Sequence, residues 1–182
     1  HTLRTRREAA LGKGKTKTKI THKTMKTFHV GISAEAFAAA LFAHAGFDVM
    51  VQYGANQPDY DLTVASDNDE ILKISVKGSQ DGGWGLTQNF KKGRTYQQAA
   101  EEWAKKQSKN IIYCLVQFDR VKLGECPRVY IASIKEVVDF LKKARNGAGD
   151  TVLRENHIYS SGVAKGHSDI IPAKWKFSEI RI

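Results

Sequence analysis

Residues Ile111 to Phe118 (Ile-Ile-Tyr-Cys-Leu-Val-Gln-Phe) form a near-continuous apolar run. A strand that faces water on one side alternates apolar and polar residues, whereas a strand covered on both sides does not. The run therefore predicts a buried central strand, and the rest of the chain must supply its neighbours and its cover. Upstream, Phe47, Val49 and Val51 alternate as a first strand. Asp61-Leu62-Thr63-Val64 reads as a second, and Ile71 to Lys77 as a third, with Ser66-Asp67-Asn68-Asp69 as the turn between them. Those two strands predict an antiparallel hairpin. Arg128 to Ala132 reads as a further strand.

Helices fill the intervals. Ser33 reads as an N-cap with Glu35 in the first turn, followed by Ala36, Phe37, Ala40, Leu41 and Ala43 at helical spacing and by Gly46 as the stop. Thr95 with Gln98, and Ser133 with Glu136, are capping-box pairs. They open helices expected over Tyr96 to Lys109 and from Ser133 to near Gly147. Trp103 lies beside Ala99 and Ala100 and is expected in the core. A Gly-rich loop is expected from Gly78 to Gly85, and after Thr151 one short strand, a Gly/Ser loop and an end docked through Trp175 and Phe177. The order of elements predicts an α/β or mixed α+β chain with helices packed on a central sheet.

Charge divides the chain unevenly. The net charge of the 182 residues is +10, yet residues 1–26 hold nine Lys/Arg against Glu8 alone, which leaves about +2 for the remainder. Residues 1–26 read as a flexible basic arm, and 27–182 as a single domain. Lys13, Lys15, Lys17 and Lys19 of the arm are suited to neutralise phosphates, with salt-sensitive binding. No apolar run approaches the roughly 20 residues of a membrane span, and no secretory signal is read. Cys114 and Cys126 are too few and too far apart for a CxxC site, so a cytoplasmic setting is the expectation.

The chemistry concentrates in Pro58-Asp59-Tyr60-Asp61-Leu62 and Ile74-Ser75-Val76-Lys77-Gly78. With Glu35 on a helix running into Gly46-Phe47-Asp48-Val49, this order resembles the PD-(D/E)XK nuclease superfamily over about residues 28–118. The superfamily includes restriction-type endonucleases and Holliday-junction resolvase-like proteins. The resemblance implies a restriction endonuclease-like α/β core with a central mixed sheet flanked by helices. It also implies metal-dependent hydrolysis of DNA, with Asp61 and Glu35 as metal ligands, Lys77 as the catalytic lysine, and Mg²⁺ (Mn²⁺ as substitute) as the cofactor. A homodimer is a further family-level expectation.

The physics suits that reaction. A strand-end carboxylate can hold Mg²⁺ with most of its waters, and a lysine on the neighbouring strand can orient water and stabilise developing charge. Ser75 and Lys77 are two apart and share a face. The departure from the family pattern is Ser75, which stands where an acidic residue is usual. Glu35 or Asp59 are the candidates to replace that charge. The alternative is a catalytically inactive relative that binds DNA or a protein partner. Trp84 is a candidate to stack on a base, Gln88 and Ser79 to touch substrate, and Arg94 and Tyr96 to face the DNA backbone. Other chemistries are excluded. Ala9 to Thr16 lacks the first Gly of a P-loop and no strand precedes it. No Gly-x-Ser-x-Gly elbow is present, and His157 and His167 lack metal-type spacing.

Overall fold

The computed structural model describes residues 25–52, 59–68, 70–108, 110–178 and 181. Lys13, Lys15, Lys17 and Lys19 lie outside the described residues. Helix α1 (Thr27–His44) is followed by β1 (Asp48–Val51), β2 (Leu62–Ala65), β3 (Ile71–Ser79) and β4 (Gly83–Gly85). Then come α2 (Tyr96–Lys106), β5 (Ile111–Gln117), β6 (Arg128–Ser133), α3 (Ile134–Lys143), and the short strands β7 (Val152–Arg154), β8 (Asn156–Ile158) and β9 (Ser168–Ile170). The main sheet has the order β1-β2-β3-β5-β6, and β4 pairs with β7 and β8 with β9 in two small ribbons. Only β3 and β5 run parallel in the main sheet; its other pairs are antiparallel. The expected β2–β3 hairpin forms with Leu62 opposite Ile74 and Ala65 opposite Ile71.

Strand β5 explains the layering. Its Cys114 and Val116 join one apolar cluster with Val30, Ala34, Ala38 and Phe42 of α1. Its Ile111, Tyr113 and Leu115 join a second cluster with Trp103 of α2 and Val137 and Leu141 of α3. The sheet is thus covered on both faces, as an unalternating strand requires. Each large side chain fully buried in this way contributes about 1.5–3 kcal/mol. The expected caps at Thr95 and Ser133 are present, and each side chain accepts from the backbone NH three residues on. The tail docks as expected: Trp175 is buried and Phe177 meets Phe42 edge-on.

Four readings are corrected. Helix α1 begins at Thr27, capped by Lys26, so Ser33 lies inside it and Glu35 is mid-helix rather than in the first turn. The first turns are held by packing: Val30 is buried against the sheet, and that contact outweighs modest local propensity. The expected Gly-rich loop is partly strand, because Gly78 continues β3 and Gly83–Gly85 pairs with β7. Helix α3 stops at Lys143, short of Gly147, where Arg145 and Asn146 take positive φ. The tail carries three short strands instead of one.

Candidate active site

Strand β3 outruns its neighbour. Strand β2 starts at Leu62 opposite Ile74, so Val76, Lys77 and Gly78 extend past its start. Asp61 sits at that notch. Its backbone NH donates to the Ile74 carbonyl at 2.8 Å, and its Oδ2 accepts from the Val76 NH at 2.6 Å. The carboxylate is therefore oriented by backbone on which it rests. Lys77 Nζ lies 4.0 Å from the same Oδ2, and both side chains keep access to solvent. In water-exposed surroundings such a pair adds little stability, so its interest lies in placement.

Glu35 is coupled electrostatically to the notch from helix α1. Val30, Ala34, Ala38 and Phe42 recur every four residues and seat α1 on the sheet. Gly78 makes that seat close. A Cβ at Gly78 would fall 2.8 Å from both Val30 Cγ1 and the Val30 carbonyl, and 2.9 Å from Ala34 Cβ. Glu35 follows Ala34 and flanks the contact. Partial burial, with Asp61's negative charge adding, raises its carboxyl above the ordinary 4.5, and the Lys77 ammonium opposes the rise. Glu35, Asp61 and Lys77 thus share one electrostatic site although they come from a helix, a strand start and a strand end.

The sign of this shift gives a test. A carboxyl whose folded pKa is raised stabilises the fold when protonated, and that contribution is lost as pH rises from about 4.5 through the folded value. Glu35→Gln carries no charge at any pH. The variant is expected to be more stable than the parent at pH 7, with an advantage that shrinks to nothing below pH 4. Thermal melts at both pH values check this; an advantage undiminished in acid would show that Glu35's ionisation is not penalised.

Ser75 is brought to the same face as Lys77 but not to the solvent. It is 1% exposed and lies in register with Tyr113 on β5. Burial pushes the Tyr113 phenol up, a hydrogen bond with Ser75 pulls it down, and the charges of Asp59 and Asp61 push it up again. The Tyr113 hydroxyl donates to Gln107 Oε1 at 2.5 Å. Ser75 is thus a buried polar partner of Tyr113. Asp59 accepts from Ser108 Oγ at 3.0 Å; of the two candidates for the missing acid, Glu35 is the one coupled to Asp61 and Lys77. Among the described residues no group of three or more His, Cys, Asp or Glu gathers as a metal cage.

The expected nucleic-acid contacts divide. Trp84 is corrected: it is 3% exposed and its indole NH donates to the Lys77 carbonyl at 2.9 Å, so it braces the site from inside and has no face for a base. Gln88 is exposed in a short 3-10 turn (Gln88–Phe90), with its amide lying over Gly85. Arg94 is exposed just before α2. Ser79 is buried and donates to Asp81 at 2.9 Å. Sequence reasoning placed Gly78 in the motif without seeing its packing role, and missed Tyr113 as part of the site. The parallel β3–β5 register would have revealed Tyr113, because it stands directly opposite Ser75.

No protein-family model, curated protein or solved structure is found to match the chain. Among the described residues no helix is long and apolar enough to cross a membrane.

Proposed function

We propose that this chain is a metal-dependent DNA endonuclease of the PD-(D/E)XK type, acting at the notch beside β3. The observation that carries the reading is the convergence of Glu35, Asp61 and Lys77 from three separate elements. A carboxylate placed where the charge of a second one disfavours its ionisation, as Glu35 is placed by Asp61, is a fitting seat for a divalent cation, and Mg²⁺ commonly uses one or two carboxylates plus waters and substrate oxygens. Glu35 and Asp61 would hold it, with Mn²⁺ as a substitute. When bound, the cation supplies Lewis-acid polarisation of the phosphate and a more acidic water.

The chain's own groups do the rest. Asp61 keeps a fixed direction because the Val76 NH holds its Oδ2. Glu35, partly buried and within the field of Asp61, would supply the second carboxylate that holds the cation. Lys77 presents an ammonium 4.0 Å from the Asp61 carboxylate and within the field of Glu35, placed to orient an attacking water or to stabilise charge on a phosphate oxygen. Trp84 holds the Lys77 carbonyl, which fixes the backbone from which the ammonium extends.

A second reading, an inactive nuclease-like module that binds DNA or a protein, is favoured by one observation: Ser75 is neutral and buried, so the notch holds two carboxylates instead of three. Incubation with labelled linear and branched DNA duplexes in Mg²⁺ or Mn²⁺ separates the two. The nuclease reading expects cleavage that a chelator abolishes. Binding without cleavage under every metal and substrate decides for the second.

A further inference from the structure

We propose that a cationic cluster around Tyr96 grips the phosphate backbone of DNA on the flank of the Asp61–Lys77 notch; the proposal rests on the DNA reading above. Its members are Lys91, Lys92, Arg94 and Arg145. Lys91 Nζ lies 4.6 Å from the centre of the Tyr96 ring, and the Arg145 guanidinium carbon lies 5.5 Å from it. Arg145 Nη1 also donates to the Tyr96 hydroxyl at 3.3 Å. Lys92 and Arg94 are exposed beside them. Among the described residues none of the four cations is ion-paired. Glu102, whose field reaches Arg94, is hydrogen-bonded to Lys105 at 2.7 Å.

A groove nearby shows the contrast. The cavity of about 780 Å³ beside β6 is also lined by arginines, but Arg128 there is held by both oxygens of Glu155 at 2.7 and 2.8 Å, and Arg120 sits 3.5 Å from Asp119. Its two arginines are thus each set beside a carboxylate. Those around Tyr96 rest on neutral partners: Lys91 Nζ donates to the Arg94 carbonyl at 2.6 Å, Arg94 Nη1 to the Phe90 carbonyl at 3.4 Å, and Arg145 to the Tyr96 hydroxyl. No carboxylate of the described chain pairs with them, and a polyanion is the ligand class that supplies the missing negative charge.

The backbone delivers Arg145 at some cost. Arg145 and Asn146 have φ of 54° and 59°, a left-handed conformation that side chains other than Gly rarely adopt. The turn is pinned from several directions. Asp169 accepts the Arg145 backbone NH at 3.3 and 3.2 Å, Gly149 NH donates to the Ala144 carbonyl at 2.8 Å, and Gln97 Nε2 donates to the Gly147 carbonyl at 3.0 Å. Gly149 lets the turn close on α2, because a Cβ there would fall 2.6 Å from Tyr96 Cβ. A strained turn clamped so that one arginine lies over one tyrosine is a placement that packing alone does not require.

Topology puts the cluster beside the site. Strands β3 and β5 are parallel, and the chain returns between them through α2. The carboxyl end of α2 leads into Gln107, which bonds Tyr113 near the start of β5. The amino end of α2, with Tyr96, therefore lies toward the carboxyl ends of β3 and β5, where Lys77 sits. Helix α2 and Lys77 also share a face of the sheet, since Trp103 and Leu115, the partner of Lys77, belong to one cluster. Such contacts to phosphates fix the position of a duplex without reading its sequence.

The test is a salt titration of a fluorescein-labelled duplex by anisotropy, with the triple variant Lys91→Gln/Arg94→Gln/Arg145→Gly against the parent. Arg145→Gly removes the charge while relaxing the left-handed backbone, so the single variant serves should the triple variant melt early. The slope of log affinity against log salt is expected to fall by about 2–3 for the triple variant and about 1 for the single one, equally for unrelated duplexes. An unchanged slope in folded variants overturns this proposal while leaving the nuclease reading intact. A parent protein that binds no DNA overturns both.

Discussion

Gly78→Val is expected to destabilise the protein by about 3 kcal/mol or more and to damage the site with it. The glycine sits between Lys77 and the seat of α1, and its missing side chain is what allows Val30 and Ala34 to approach the sheet. A Cβ would meet Val30's carbonyl oxygen at 2.8 Å, and a backbone atom cannot rotate away. Relief needs α1 to lift or β3 to bend. Overpacking of this kind typically costs about 1–3 kcal/mol, and the two branches of valine add to it. At about 2–4 °C per kcal/mol for a chain of this size, the melting temperature should fall by about 6–12 °C. Ala is expected to fall between Gly and Val. Lifting α1 also withdraws Glu35 from Asp61, so cleavage assayed well below the melting temperature should drop for Val and less for Ala. Melts of the three proteins check the first part. Unchanged melting of Gly78→Val would mean that α1 does not rest on β3 at this position.

Much of the sheet was legible because its signals are local. The apolar run of β5, the alternation of β3 and the two capping boxes each state their structure within a few residues. The Asp61–Lys77 pair was legible for the same reason, since a short hairpin brings one strand's start to the other's end. What stayed hidden depends on distant partners. The first turns of α1 look unpromising in isolation and form because Val30 fits over Gly78, 48 positions away in the chain. Trp84 looks like a loop aromatic until β4 pairs with β7 and turns the indole toward Lys77. Ser75 reads as a gap in a metal site, whereas in the fold it is a buried partner of Tyr113. Glu35 was selected by its place before a strand. Its value comes from the seating of α1, which brings it within the field of Asp61 and Lys77 and which no periodicity encodes. The turn that holds Arg145 depends on Asp169, a residue of the β8–β9 ribbon.

The central claim is that Asp61 supplies the anchored carboxylate of a metal-supported site and that Lys77 assists it. Asp61→Asn preserves size and keeps a carbonyl oxygen to accept from the Val76 NH, so the fold should survive. What it removes is the charge that holds a cation. Loss of one such ligand is expected to lower cleavage by about 10³-fold or more, within the several kcal/mol attributed to metal-supported charge stabilisation. Lys77→Met keeps the stem and removes the ammonium, for an expected loss of about 10²–10³-fold, comparable to removal of one preorganised donor. Neither loss should be accompanied by a large change in melting temperature, because the exposed Asp61–Lys77 pair contributes little stability. The most direct measurement is the single-turnover rate of cleavage of a labelled duplex in Mn²⁺ by the parent and by Asp61→Asn, each shown by melting to be folded. The account predicts chelator-sensitive cleavage by the parent and essentially none by the variant; cleavage that survives Asp61→Asn would place the chemistry elsewhere in the molecule and contradict it.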